Sequence, residues 1–126
     1  MEEEFEKIRD WVENKLYSFS HLIEFAIGKS KDCEERFKTY YQPKGYNDYI
    51  VLAKGNPKTI NKGEEFLINY FLQHSKWKEK IKNEREGGGG NNKASNLYLA
   101  IKYNVKEFDE LFDELLQEEW EPIYLS

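Results

Sequence analysis

The sequence predicts a single α+β domain over residues 1–126, with a small, mostly antiparallel sheet flanked by helices. Three observations lead to this prediction. The chain of 126 residues has the length of one ordinary domain. Hydrophobic residues make up 39% of it and aromatic residues 16%, which suffices for a buried core. Segments with helical spacing of apolar residues alternate with short runs of β-forming residues.

The first half of the chain predicts two helices and three strands. Apolar residues recur every three or four positions between Phe5 and Leu16, which predicts an amphipathic helix at residues 2–14. Residues 16–28 place β-forming residues around a Ser-Phe-Ser-His break. They predict a strand, a tight turn and a second strand that ends at Gly28.

A second helix is predicted to begin at Asp32, because Glu35 follows three residues later in a capping pattern. Pro43 and Gly45 are expected to end it. The third strand is predicted at residues 48–53.

In the second half, a helix is predicted from Asn61, and Glu64 then stands where it would complete a capping box. Residues 76–85 alternate bases with Trp77 and Ile81, so they form either a short helix or a basic arm. The glycines at 87–90 predict a loop, since glycine is costly in helices and strands.

The last two predicted elements are a strand at residues 96–103 and an acidic amphipathic helix at residues 104–120, capped by Asn104. The apolar stripe of this helix either packs on the sheet of its own chain or forms a subunit interface in a homo-oligomer.

Charge is unevenly distributed along the chain. The formal net charge is −5, yet residues 16–103 hold ten acids against fifteen bases, a net charge of +5. Residues 104–126 carry eight acids and one base. A basic centre between acidic flanks favours a small phosphate ligand over tight, non-specific duplex binding.

The remaining composition indicates a cytoplasmic protein without a membrane span. One cysteine, Cys33, leaves no intramolecular disulfide and fits a reducing compartment. The first ten residues are acidic, unlike a secretory signal, and no apolar run approaches the roughly 18 residues of a spanning helix.

Residues 28–40 form the candidate phosphate site. A predicted strand ends at Gly28, Lys29 and Ser30 form a short basic turn, and a helix follows. Arg36 and Tyr40 are four residues apart, so both are expected on one helix face near that turn. Arginine binds phosphate oxygens through paired hydrogen bonds and stays charged at any relevant pH.

Here the sequence resembles the GIY-YIG nuclease superfamily over residues 15–103. Ala26-Ile27-Gly28 is similar to the second motif of that family, and Arg36 and Tyr40 follow at the family's spacing. Lys15-Leu16-Tyr17 lies where the first motif is expected. The resemblance implies a GIY-YIG-like core, to which this chain adds the N- and C-terminal helices.

Glu64, with Leu67 and Ile68 after it, matches the family's metal-binding glutamate, and Asn83 is similar to a later asparagine. The resemblance implies that Tyr17, Arg36, Tyr40 and Glu64 would be catalytic in an active enzyme. Glu64 would then hold Mg²⁺ or Mn²⁺.

Two departures from the family weaken the catalytic set. Ala26 replaces the tyrosine of the second motif, and the first motif lacks its glycine. Losing a general acid–base group costs roughly 10²–10⁴-fold in rate. The residues implied in phosphate binding are better preserved: Gly28, Lys29, Ser30, Arg36, Tyr40, Asn83 and Arg85.

We therefore expect a catalytically impaired GIY-YIG-like domain that binds, and by binding sequesters, a small phosphorylated ligand such as a cyclic nucleotide. A phage anti-defence protein is one setting for such a module. The alternative is an active Mg²⁺-dependent endonuclease that cleaves nucleic-acid phosphodiesters. A second alternative is an acidic DNA mimic or partner-binding protein that acts through its terminal helix.

Overall fold

The computed structural model describes residues 2–83, 93–104 and 120–126, and it has an α+β fold, as the sequence predicts. A π-helical turn (Phe37–Tyr41) and a 3₁₀ turn (Gln42–Lys44) extend the second helix. The helices and strands are, in chain order, α1 (Glu2–Ser18), β1 (Leu22–Ser30), α2 (Cys33–Arg36), β2 (Asp48–Gly55), α3 (Pro57–Gln73), β3 (Asn96–Tyr103) and β4 (Ile123–Leu125).

The four strands form one mixed sheet in the order β1-β3-β2-β4. β3 is antiparallel to both β1 and β2, whereas β4 is parallel to β2. Alternate residues of a strand point to opposite faces. Phe25 and Ile27 therefore pack with α1 and α3 on one face. Ala26 packs on the other face with residues 33–46, which we call the α2 segment. We call these the α3 face and the α2 face.

The α3 face carries the larger part of the core. The four apolar residues that predict the first helix, at positions 5, 8, 12 and 16, are all buried in α1 and belong to this cluster. Leu67, Ile68 and Phe71 of α3 complete it. The α2 face buries a smaller, mostly aromatic cluster, in which Cys33 lies; burial raises the pKa of its thiol to about 11.

The strand predicted at the start of residues 16–28 is wrong. α1 continues to Ser18, and a single strand runs from Leu22 to Ser30, two residues beyond Gly28. Leu16 explains the difference, because it follows Val12 by four residues and is buried on the same helix face. Burial of this fourth apolar residue outweighs the β propensity of its neighbours.

The helix predicted at Asp32 is confirmed. The Asp32 side chain accepts a hydrogen bond from the Glu35 backbone N–H at 3.1 Å and caps α2. The helical turns that follow end at Gly45, whose φ of 89° lies in the left-handed region that favours glycine. The strand predicted at 48–53 is also confirmed, as β2.

The third helix begins earlier than predicted. Asn56 caps it by accepting a hydrogen bond from the Lys58 N–H at 2.9 Å, and Pro57 occupies the first turn. The predicted start at Asn61 lies five residues after this cap. Glu64 consequently lies inside α3, where it is buried, and completes no capping box.

Residues 75–80 form hydrogen-bonded turns rather than a regular helix or a free arm, and Ile81 then pairs with Phe25 of β1. The strand predicted at 96–103 is confirmed as β3. The glycine loop at 87–90 and nearly all of the acidic helix predicted at 104–120 lie outside the described residues. Within the described ranges, no helix is long and apolar enough to cross a membrane.

Candidate functional site

A pocket of about 110 Å³ opens on the α2 face, where the π-helical turn crosses β1. Its walls combine three tyrosine rings with an acid, an amide and two lysines. We call it the α2-face pocket, and its lining residues are Glu24, Ala26, Tyr40, Tyr41, Lys44, Tyr46, Lys82 and Asn83.

Gly28 of β1 leaves room for the ring of Tyr98, which crosses over it. The two residues are directly paired between β1 and β3. A Cβ on Gly28 would lie 2.3 Å from Tyr98 Oη, so only glycine admits the ring in this position. Gly28 thus provides space for a tyrosine, and the Tyr98 ring covers the strand where the sequence analysis placed a phosphate.

The Tyr98 hydroxyl contacts the π-helical turn. Tyr41 Oη lies 2.9 Å from Tyr98 Oη. Burial raises the pKa of both phenols above the ordinary tyrosine value, so both keep their protons at neutral pH. The paired phenols thus join the π-helical turn to β3, whereas Arg36 is exposed and its contact is with the Tyr40 ring.

Two cations lie against the ring of Tyr40, which lines the pocket; Lys44 also lines it, and Arg36 lies outside the lining. Arg36 Cζ is 4.5 Å and Lys44 Nζ is 3.6 Å from the ring centroid, within the range of cation–π contacts. Hydrogen bonding to Lys44 and the charge of its ammonium lower the pKa of the Tyr40 phenol. Neither cation forms an ion pair with a carboxylate of the described residues.

The far end of the pocket contains one carboxylate. Glu24 Oε2 accepts a hydrogen bond from Tyr46 Oη at 2.6 Å, and Glu24 Oε1 lies 3.9 Å from Lys82 Nζ. Burial and the hydrogen bond to Glu24 raise the pKa of Tyr46. Lys102 lies opposite Glu24 in the sheet and donates to the Lys44 carbonyl at 3.0 Å. The pocket therefore has an ammonium at Lys44 without a described carboxylate partner, and a carboxylate at Glu24 that Lys82 partly neutralises.

Asn83 holds the outer edge of β1. Its Oδ1 accepts from the Ile27 N–H and its Nδ2 donates to the Ile27 carbonyl, both at 3.0 Å. Phe25 pairs in the same way with the backbone of Lys80 and Lys82. The Asn83 amide therefore replaces a neighbouring strand and satisfies an edge that would otherwise be open.

We expect Asn83→Leu to lower the free energy of unfolding by about 1–3 kcal/mol, because it leaves two partly buried backbone groups of Ile27 without partners. Urea unfolding measures the loss. Asn69→Leu is the control, since among the residues that the structure describes the Asn69 amide bonds only to the exposed Gln73. Equal stability of the two variants would contradict this role of Asn83.

Lys29 and Glu64 lie on the opposite face of the sheet. Lys29 Nζ is 3.9 Å from Glu64 Oε1 and also donates to Asn61 Oδ1. The two charged side chains are only 3% and 9% exposed. The sheet thus lies between this ion pair and Arg36, and Glu64 faces an ammonium group. Among the residues that the structure describes, no three His, Cys, Asp or Glu residues group as metal ligands.

Tyr17 is remote from both places. It lies near the end of α1 with its ring 4.9 Å from that of Trp77, and it is 54% exposed. Lys76 Nζ is 4.5 Å from the Tyr17 ring centroid. Ser30 bonds to the backbone of Asp32 and does not line the α2-face pocket. Arg85 lies outside the described residues.

The structure therefore brings together Arg36, Tyr40 and Asn83 from the sequence-derived site, and it separates Tyr17 and Glu64 from them. Sequence reasoning missed Glu24, Lys44, Tyr46 and Tyr98. One available signal was the small residues at alternate positions of the two strands, Ala26 and Gly28 in β1 and Ala100 two residues after Tyr98 in β3, which mark a face with room for large rings.

No protein-family model, curated protein or solved structure matches this chain. The resemblance to GIY-YIG nucleases thus stays a prediction.

Proposed function

We propose that this chain binds a small phosphorylated ligand on the α2 face, with the anionic group at Arg36 and Lys44. The main support is the placement of these two cations on one tyrosine ring, without a described carboxylate partner. The two cations lie 4.5 Å and 3.6 Å from the centroid of that ring, so a phosphate bound beside the ring would be attracted by both charges. This positive charge is local, because the whole chain has a net charge of −5.

The surrounding groups suit an anion of limited size. Arginine offers paired N–H donors to phosphate, and lysine contributes a point charge. The pocket of about 110 Å³ is smaller than the roughly 300 Å³ at which typical ligand pockets begin. It would therefore enclose one end of a ligand, with the phosphate at the mouth. Sequestration of such a ligand is the function we propose.

The endonuclease alternative receives less support from this geometry. It requires Tyr17, Arg36 and Glu64 to act on one phosphodiester, yet Glu64 is paired with Lys29 on the other face of the sheet. The partner-binding alternative depends on residues 105–119, which lie outside the described part of the chain.

Isothermal titration calorimetry tests the proposal with inorganic phosphate, ribose 5-phosphate, nucleoside 5′-monophosphates and a cyclic dinucleotide. We expect the wild-type chain to bind at least one phosphate ester. Lys44→Ala should bind it roughly tenfold more weakly or worse, because a charged hydrogen bond is lost. Lys38→Ala is the matched control, since Lys38 pairs with Glu34 at 3.1 Å on the exposed side of the same segment.

Absence of heat with every ligand would overturn the proposal, and so would equal affinity of the Lys44→Ala variant. Incubation with plasmid and Mg²⁺ tests the alternative in parallel. Cleavage that disappears in Tyr17→Phe, an exposed position where the ring is kept, would favour the endonuclease.

A further inference from the structure

Resting on the proposed function, we propose that Glu24 makes the α2-face pocket specific for a nucleotide with one phosphate group and an amine-bearing base. The geometry points to an ordered ligand, with its phosphate at Arg36 and Lys44 and its N–H donors at Glu24. This assignment follows from the contrast between the two ends of the pocket.

The carboxylate of Glu24 is the acceptor at the inner end. An ionised carboxylate only accepts hydrogen bonds, and its two oxygens offer about four lone-pair directions. Tyr46 Oη uses one direction on Oε2 at 2.6 Å, and Lys82 Nζ lies 3.9 Å from Oε1, beyond hydrogen-bond distance. Oε1 is thus available to a donor from a ligand, and Tyr46 fixes its orientation.

The same carboxylate disfavours a second anion, because Lys82 is 68% exposed and its ammonium offsets only part of the Glu24 charge. A diphosphate or triphosphate that extended from Lys44 into the pocket would bring negative charge towards Glu24, and like charges held close together repel each other. A ligand group with N–H donors instead gains hydrogen bonds to the Glu24 carboxylate at the same place. The exocyclic amine of cytosine is a known donor to carboxylates of proteins, and guanine and adenine carry comparable amines.

The walls of the pocket suit a flat ring. Tyr41 and Tyr46 stand nearly perpendicular, with an interplanar angle of 67°, and Tyr40 is 42% exposed at the mouth. Asn83 lines the pocket as well, and its amide keeps one hydrogen and one lone-pair direction beyond those that Ile27 uses. Donor and acceptor groups therefore both face the space between aromatic rings, an arrangement that suits the edge of a nucleobase.

Calorimetry with matched ligands tests this specificity on the wild-type chain and on Glu24→Gln, which keeps the shape and the acceptor for Tyr46. The ligand pairs are CMP with UMP and GMP with IMP, in which the second member lacks the amine. Ribose 5-phosphate and inorganic pyrophosphate complete the set. Glu34→Gln is the control, because Glu34 is an exposed acid of α2 outside the pocket.

We expect the wild-type chain to bind at least one amine-bearing nucleotide about tenfold or more tightly than its partner, since an unpaired buried acceptor rejects the analogue. Glu24→Gln should remove most of that ratio and improve pyrophosphate binding, while Glu34→Gln changes neither. Affinity for ribose 5-phosphate should be nearly equal in wild type and Glu24→Gln, because that ligand has no base.

Wild-type binding of ribose 5-phosphate without discrimination within either pair would overturn this inference and leave the proposed function standing. An unchanged ratio in a folded Glu24→Gln variant would do the same. No binding of any phosphate ester would overturn both. Thermal unfolding of each variant establishes that it is folded before its binding is compared.

Discussion

Lys29→Met is expected to lower the free energy of unfolding by about 3–5 kcal/mol, because it removes one member of a buried ion pair. Lys29 Nζ lies 3.9 Å from Glu64 Oε1, and the side chains are 3% and 9% exposed. Without the ammonium, the Glu64 carboxylate loses the cation that faces it between α3 and the sheet. Urea unfolding monitored by tryptophan fluorescence measures the loss.

The double variant Lys29→Met, Glu64→Met separates charge from packing. It should be clearly more stable than Lys29→Met alone, because a buried pair replaced by apolar side chains of similar volume is often neutral. Lys38→Met is the surface control and should change stability by no more than about 1 kcal/mol, since its pair with Glu34 is exposed. A loss in Lys29→Met no larger than in that control would contradict the role of the pair.

Gly28→Ala is expected to lower the free energy of unfolding by about 2–4 kcal/mol, somewhat more than ordinary overpacking of a core. The reason is that the new Cβ would lie 2.3 Å from Tyr98 Oη and 2.4 Å from Tyr98 Cζ. Tyr98 is buried and cannot move without disturbing Tyr41, to which its hydroxyl is bonded. The variant should also bind phosphate esters more weakly, since Tyr41 is a wall of the α2-face pocket and would shift with the Tyr98 ring. Chemical unfolding and calorimetry measure the two effects.

A control and a second background make this expectation specific. Gly63→Ala places a Cβ 3.2 Å from Phe5 Cε1 inside α3, so a slight crowding is offset by the better helix propensity of alanine. In a Tyr98→Leu background, the added cost of Gly28→Ala should shrink well below its value in the wild type. If Gly28→Ala lowers the free energy of unfolding equally in the wild-type and Tyr98→Leu backgrounds, the Tyr98 ring is not what limits the size of residue 28.

The candidate site shows how far sequence reasoning reaches. Arg36 and Tyr40 are four residues apart on one helical segment, so their proximity depends only on local geometry, and the structure places them together. Lys29 is adjacent to Gly28 in sequence, yet it points to the other face of the sheet because β1 continues through it. The turn predicted to place Gly28, Lys29 and Ser30 around one phosphate is instead part of β1. The strand directs neighbouring side chains to opposite faces of the sheet.

Glu64 illustrates the same limit over a longer distance. Its place three residues after Asn61 suggests a cap, but the helix begins at Asn56 and Pro57, and Glu64 faces Lys29 from inside α3. Which face of the sheet a helix covers depends on packing of the whole chain. Short-range motifs carry no such information.

The sequence by itself determined the α+β class, the amphipathic face of α1, the cap at Asp32 and the bounds of β3, because each depends on spacing or hydrogen bonds within a few residues. Only the tertiary structure decided which side chains meet in the α2-face pocket. The alternation of strand residues between two buried faces sends Glu24 towards Tyr46 and Lys29 towards Glu64. That choice is made by the pairing of β1 with β3 and by the helices that cover each face.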